Sequence, residues 1–369
     1  IVSPVEKKSM SLVRYEPYGV VGCIIPWNYP LSLMGWKLAP ALAAGNTIIM
    51  KPSEITSTSL LHWAEIVGDI MPPGVLNVIT GYGTEAGEEI VKHPSIPIIT
   101  FTGSVKTGKR IAMHAAENLK KISLELGGKD PVIICDDADI DVAAKGTSWG
   151  GFVNSGQVCT SIERVYVFSN VADRFTESLV EESKKVKLGD PMDKDTDIGP
   201  MASKAQLKNT VEKVALAKQE GARILIGGHR PKEFARGYFF SPTILDRVRP
   251  DMEIVTEESF SPVIPVQKVD SLNEAIKMSN ATKYGLGCTI FTRDIERAMN
   301  AADKIKSGTV CINSPLMENI AAPFGGMKQS GIGREHGIDA LDEFREAKHI
   351  YIDYEHNKKW NDWVVGTHG

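Results

Sequence analysis

The sequence has no C-x-x-C pair, no apolar run long enough to cross a membrane and no excess of positive charge. Its five cysteines (Cys23, Cys135, Cys159, Cys288 and Cys311) are odd in number and scattered. That argues against a disulfide framework and against a structural metal site, and it fits a reducing, cytoplasmic compartment. A membrane helix needs about 20 consecutive apolar residues, so no membrane partner is expected. The formal net charge of −4 argues against a nucleic-acid partner. Internal repeats and low-complexity tracts are also missing. The opening Ile1-Val2-Ser3-Pro4 has neither an initiator Met nor the pattern of a signal peptide,. The expectation is a chain that begins part-way through a longer product.

What is present is ordinary for a globular protein, with 42% apolar and 24% charged residues,. A length of 369 residues exceeds what one core usually holds, so two domains are expected. Short β-branched runs alternate with helical patterns. Strands are expected over 20–25, 47–50, 75–80, 98–102 and 121–126,. Helices are expected over 31–43, 57–70, after Gly83, and over 105–116,. This rhythm implies an α/β fold of doubly wound parallel sheets, with ligands at the carboxyl ends of the strands. Gly127-Gly128 is a natural break. A second α/β series follows, with strands over 131–134, 164–168 and 223–226 and helices over 138–153, 171–186 and 204–220. It runs to about Asn313. A last strand is expected over 349–354, and the tail from Glu355 is polar with two tryptophans.

Several runs carry chemical potential. Phe101-Thr102-Gly103-Ser104 leads from a strand into a helix, where backbone amides favour phosphate. Gly103 to Lys109 also matches the start of a P-loop, but the position that should hold magnesium is Arg110 rather than Ser or Thr,. Lys51-Pro52-Ser53-Glu54 puts a cation and a carboxylate at the end of a strand, suited to ribose hydroxyls, although taken alone the run reads first as a solvated, capped turn. Pro26-Trp27-Asn28-Tyr29-Pro30 offers an Asn amide that can hold an oxyanion or cap a helix. Glu125 ends an apolar strand, where loss of water raises a carboxyl toward the range of a useful base. Cys159 lies in the polar loop Asn154-Ser155-Gly156-Gln157-Val158-Cys159-Thr160. A lone Cys is more often a small buried hydrophobe, and reactivity needs a low pKa or a nearby base.

In their order and spacing these runs resemble the aldehyde dehydrogenase superfamily, from about Ser11 to about Tyr354. Glu125-Leu126-Gly127-Gly128-Lys129 and Gly156-Gln157-Val158-Cys159 are the specific signatures. Pro26-Trp27-Asn28, Lys51 to Glu54, Phe101 to Ser104, Glu257 to Pro262 and Pro323-Phe324-Gly325-Gly326 continue the likeness. The resemblance implies two Rossmann-like doubly wound domains and a small β oligomerisation arm. The expected divisions are 1–16 for part of the arm, 17–126 for the NAD(P)-binding domain and 127–329 for the catalytic domain. Residues 330–346 return to the cofactor domain, and 347–369 form the oligomerisation strand and tail.

The resemblance also implies roles. Cys159 attacks the aldehyde, and Asn28 with the Cys159 backbone N–H holds the oxyanion. Glu125 activates the water that hydrolyses the thioester, which makes the enzyme non-acylating. Lys37 and Glu346 relay the proton away. Ile25, Trp27, Lys51, Ser53, Glu54, Gly103, Ser104, Leu126, Glu258 and Phe260 contact the cofactor. That cofactor is NAD or NADP, and Glu54 favours NAD because it repels a 2′-phosphate. Trp27, Tyr29, Thr160, Glu318 and Phe324 line the substrate passage.

The run from Gly156 through Glu163-Arg164-Val165-Tyr166-Val167 resembles the lactaldehyde and glyceraldehyde dehydrogenase branch. Glu318 and Asn319 would suit such a small hydroxyaldehyde. Another aliphatic aldehyde or a semialdehyde is the alternative. A non-catalytic binding protein on the same scaffold is the alternative class. A homodimer or homotetramer is expected. The chain departs from the family in lacking the usual N-terminal part, in Ser261 where Gly is usual, and in Val105 where Thr is commoner.

Overall fold

The structure is a computed structural model that describes residues 9–354. The first eight residues of the expected arm and the tail from Glu355 lie outside the described residues. Fifteen strands are described: β1 Ser9–Pro17, β2 Val20–Ile24, β3 Thr47–Lys51, β4 Leu76–Val78, β5 Ile98–Gly103, β6 Lys121–Leu126, β7 Asp130–Ile134, β8 Ile162–Phe168, β9 Arg223–Ile226, β10 Thr243–Asp246, β11 Val263–Val269, β12 Gly287–Phe291, β13 Thr309–Ile312, β14 Gly331–Ile332 and β15 Arg345–Asp353. They form three sheets. The first has the order β14-β6-β5-β2-β3-β4, the second β13-β12-β7-β8-β11-β10-β9, and β1 pairs with β15 alone.

The α/β alternation is as expected, because the apolar runs are short, β-branched and separated by helical patterns. The sheets are not wholly parallel. β14 runs antiparallel to β6, and β9 antiparallel to β10. Both lie at sheet edges, where an antiparallel strand needs no crossover helix. Central strands are largely buried, and all five residues of β7 are buried, as strands covered on both faces must be.

Helix α1 (Pro30–Ala43) begins with a proline in its first turn, where the missing N–H costs nothing. It buries Leu33, Met34, Leu38 and Ala41 against Val21, Cys23, Ile48 and Met50 of the first sheet. Helix α2 (Ser57–Val67) ends short of the expected Ile70, which is 77% exposed. After Gly83 the chain makes a π-helical turn rather than an α-helix, and α3 (Glu88–Lys92) follows. Helix α4 (Val105–Ala116) is capped by the Ser104 hydroxyl, which accepts from the Thr107 N–H at 3.2 Å,.

The position of the site follows from topology. From β2 the chain builds β3 and β4 on one side, then returns to build β5 and β6 on the other. The loops leaving β2 and β5 therefore diverge, and a crevice opens beyond their carboxyl ends. The chain then crosses at Gly127-Gly128 into the second sheet. It comes back through β14, which pairs Gly331 with Glu125, and Phe344 joins the core of the first sheet. The last strand is longer than expected, pairing Arg345 to Asp353 with β1.

Candidate active site

The crevice holds a groove of about 570 Å³. Ile25, Trp27, Lys51, Ser53, Glu54, Gly103 and Ser104 all line it. Ile25 continues β2 into the groove floor, its N–H donating to the Lys51 carbonyl at 2.9 Å. Ser104 and the first turn of α4 face the same space, so N-terminal amides of that helix are available to an anion. Lys51 is buried, and burial lowers its pKa, opposed by the charge of Glu54. Its Nζ donates to the Pro52 carbonyl at 2.9 Å and lies 3.9 Å from Glu54. The Glu54 carboxylate is half exposed at the rim. Arg110, where a P-loop would carry Ser or Thr, pairs with Glu88 instead. These residues fit an extended dinucleotide: an amide-lined turn for phosphate, and a cation with a carboxylate for a ribose.

Trp27, Gly103 and Ser104 are shared with a second cavity of about 270 Å³. Asn28, Glu125, Leu126, Cys159, Glu258 and Phe260 line this one. Residues far apart in the chain thus meet around a single chamber.

Cys159 is half-buried behind a loop of unusual backbone. Asn154, Ser155 and Gly156 all have positive φ, at 51°, 57° and 68°. A Cβ on Gly156 would lie 2.2 Å from the Ser261 carbonyl oxygen, so only glycine fits there. Side chains hold the turn. Gln157 donates to the Asn154 carbonyl at 3.0 Å and accepts from the Ala202 N–H at 2.9 Å. The Asn28 amide donates to the Gln157 carbonyl at 3.1 Å, and the Asn154 amide donates to the Asn28 carbonyl at 3.2 Å. Burial raises the Cys159 thiol well above its ordinary pKa, and the charges of Asp130, Glu125, Glu258 and Glu318 add to this. Burial therefore favours the neutral thiol in the resting site.

Glu125 is 4% exposed. Neither carboxyl oxygen has a hydrogen-bond partner among the described residues. Burial raises its pKa well above the carboxylate range, the charge of Glu335 adds to the rise, and Lys37 and Arg334 oppose it. Lys37 corrects one expectation. Its buried ammonium pairs with Glu335, not with Glu346. Glu346 lies on β15, exposed and opposite Glu16 of β1, because that strand leaves the domain as half of the two-stranded arm.

Glu258 accepts from the Gly128 N–H at 3.0 Å. A Cβ on Gly127 would fall 2.3 Å from its carboxyl, so Gly127 makes room for it. Burial and the charge of Glu163 push its pKa up to about 8. Phe260 meets Trp27 edge to face, with centroids 5.4 Å apart. On the other side, Asp130, Thr160, Glu318 and Phe324 line an adjoining pocket. Burial pushes Asp130 up to about 7. Glu318 is exposed at its rim. Phe324 packs edge to face with Trp36 at 5.2 Å. Tyr29, half-buried, has its hydroxyl pKa raised first by burial and then by its electrostatic neighbours Cys159 and Glu318.

The sequence reading missed Asp130, Glu163 and Glu335. The available signal for the first two was a charge directly before an apolar strand, and the structure includes both in the buried strands β7 and β8. Nothing local marked Glu335.

A family model described as the aldehyde dehydrogenase family matches residues 1–350. The chain belongs to the aldehyde dehydrogenase family. It is 43% identical over 351 residues to a chloroplastic aminoaldehyde dehydrogenase of Arabidopsis thaliana, covering 95% of this chain and 70% of the relative. It is 45% identical over 341 residues to betaine aldehyde dehydrogenase 1 of Oryza sativa, covering 92% and 68%. The fold matches that of Staphylococcus aureus betaine aldehyde dehydrogenase in complex with NAD+, with a TM-score of 0.95, 41% identity, and coverage of 99% and 72%. By name these relatives are betaine and aminoaldehyde dehydrogenases, not the lactaldehyde or glyceraldehyde enzymes that the run around Cys159 suggested. Among the described residues no helix is long and apolar enough to cross a membrane. Some relatives are chloroplastic or peroxisomal, so the expected cytoplasmic address rests on the cysteine pattern alone.

Proposed function

We propose that this aldehyde dehydrogenase oxidises an aldehyde bearing a cationic group to the free carboxylic acid, with Cys159 as nucleophile and Glu125 as base. The carrying observation is the chamber that Cys159, Glu125 and Asn28 share with Glu258 and Phe260. The Cys159 thiol loses its proton to solvent as its sulfur adds to the aldehyde carbon. The Asn28 amide and the Cys159 N–H stabilise the oxyanion of the thiohemiacetal. Bound NAD(P)+ supplies the hydride acceptor that takes this adduct to a thioester. Glu125 then removes a proton from water as its oxygen attacks the thioester carbon, and the Cys159 thiolate leaves. The buried pair of Lys37 and Glu335, whose charges reach Glu125, offers that proton a way out.

The groove residues around Lys51, Glu54, Gly103 and Ser104 hold the dinucleotide, and Glu258 and Phe260 its nicotinamide end. Glu54 favours NAD over NADP by repelling a 2′-phosphate. The cationic substrate is supported by Asp130, Glu318 and the Phe324 ring in the pocket beside Thr160, by the Tyr29 ring, and by the names of the relatives. A carboxylate and an aromatic face both attract an ammonium group. The hydroxyaldehyde reading retains Glu318 as an acceptor, but the Asn319 side-chain amide oxygen is engaged by the Ala321 N–H at 3.0 Å. The arm of β1 and β15, with Val13, Tyr15, Tyr351 and Ile352 exposed, supports a homodimer or homotetramer.

The test is steady-state formation of NADH or NADPH with betaine aldehyde, an ω-aminoaldehyde, glyceraldehyde and lactaldehyde. Turnover should be fastest with the cationic pair. No product from any of them refutes the enzymatic reading and leaves the binding-protein class.

A further inference from the structure

We propose that Glu163 is the positioning residue for the nicotinamide end of the cofactor. Its carboxylate fixes the turn Glu258-Ser259-Phe260 so that Phe260 closes on Trp27 and Glu258 faces the cavity. The inference rests on the reading of that cavity as the NAD(P) site.

Glu163 does not line the cavity. It sits on β8, 2% exposed, behind the turn. One carboxylate oxygen accepts from the Phe260 N–H at 2.7 Å. The other accepts from the Ser259 N–H at 2.7 Å, the Ser259 hydroxyl at 2.8 Å and the Lys129 ammonium at 2.7 Å. Four donors converge on one buried anion. Successive amides of one turn point at it, and Phe260 pays for this with a left-handed backbone at φ 50°. An aromatic residue rarely adopts that conformation, and it persists only where the surroundings over-determine it. Glu163 is the determinant on one side, and Gln206, which donates to the Phe260 carbonyl at 2.7 Å, is the determinant on the other.

The arrangement demands a carboxylate. Glutamine keeps one acceptor oxygen and would turn an NH2 group toward a backbone N–H or an ammonium. Lys129 would also lose its counter-charge. Because Lys129 ends the run that starts at Glu125, the same anion ties the turn to the segment carrying the proposed base.

The experiment compares wild type, Glu163→Gln and Glu163→Asp. It reads the NAD+ dissociation constant by calorimetry, KM for NAD+ against kcat, and alkylation of Cys159 by iodoacetamide without cofactor. Glu163→Gln should raise KM and the dissociation constant for NAD+ by about tenfold or more, the scale of lost charge-assisted bonds. Alkylation of Cys159 should stay within about twofold, and Glu163→Asp should recover part of the affinity. If Glu163→Gln does not fold, the double variant Lys129→Met with Glu163→Gln removes both buried charges and should show the same rise. A folded variant with unchanged NAD+ affinity and only a lower melting temperature overturns the positioning role. If wild type itself binds neither NAD+ nor NADP+, the reading of the cavity falls as well.

Discussion

The Asn28 side-chain amide donates to the Gln157 carbonyl, 3.1 Å away and two residues before Cys159. One amide hydrogen is thereby fixed on the loop that carries the sulfur. Asn28 also lines the chamber, where the oxyanion of a thiohemiacetal would form. A pre-placed donor of this kind is worth roughly 10²- to 10³-fold in rate. Asn28→Ala should lower kcat by that order while KM for NAD+ changes little. Steady-state kinetics with saturating cofactor check this.

Gly156 is the hinge of the Cys159 loop, at φ 68° and with backbone atoms of Ser261 where a Cβ would go. Gly156→Ala adds backbone strain of about 1–3 kcal/mol to a steric clash. The expected result is a melting temperature lower by several degrees and a Cys159 that no longer aligns with Asn28. Differential scanning calorimetry and activity should fall together. Unchanged activity at a normal melting temperature would mean that the loop relaxes freely.

Glu258 titrates at about 8 in the folded protein, above its ordinary 4.5, because it is buried near Glu163. The folded state therefore binds its proton more tightly than the unfolded chain. Stability from this group is kept below about pH 4.5 and is lost as pH rises to about 8. Melting temperature should decline across that window more steeply in wild type than in Glu258→Gln. Equal slopes would remove Glu258 from the account.

Asp130 gives the substrate proposal a pH signature. Burial pushes it up to about 7, so it gains its charge as pH rises through neutrality. The ratio of kcat/KM for a trimethylammonium aldehyde over its neutral isostere should grow between pH 6 and 8. A charge-pair attraction of about 1 kcal/mol makes the ratio roughly fivefold. Asp130→Asn should flatten the pH dependence. A preference for the neutral aldehyde at every pH contradicts the cationic reading.

Much of the site was legible because its parts are local. The turn after β5 and the Glu125 to Lys129 run declare their conformation within a few residues. Strand ends put them at one face of one sheet, and their meeting with Cys159 follows from the crossover at Gly127-Gly128. The partner of Lys37 was not legible. Glu335 and Glu346 are both C-terminal acids, and only the path of β14 into the first sheet and of β15 away from it separates them. The strand over 223–226 was expected, but its antiparallel direction and the strand β14 were not, because short strands carry no mark of their direction. Asp130 and Glu163 lay just outside the strands expected over 131–134 and 164–168, which the structure extends to include them, and the Ser259 and Phe260 partners of Glu163 are distant in sequence.

The central claim is a covalent intermediate on Cys159 that Glu125 resolves. It is tested most directly by mixing Glu125→Gln with NAD+ and a cationic aldehyde and digesting the quenched protein for mass spectrometry. Removing a general base costs about 10²- to 10⁴-fold, so one equivalent of NADH should form in a burst and then stall. The peptide containing Cys159 should carry the mass of the acyl group as a thioester. Steady NADH production at the wild-type rate, or a stalled enzyme with an unmodified Cys159, would contradict it.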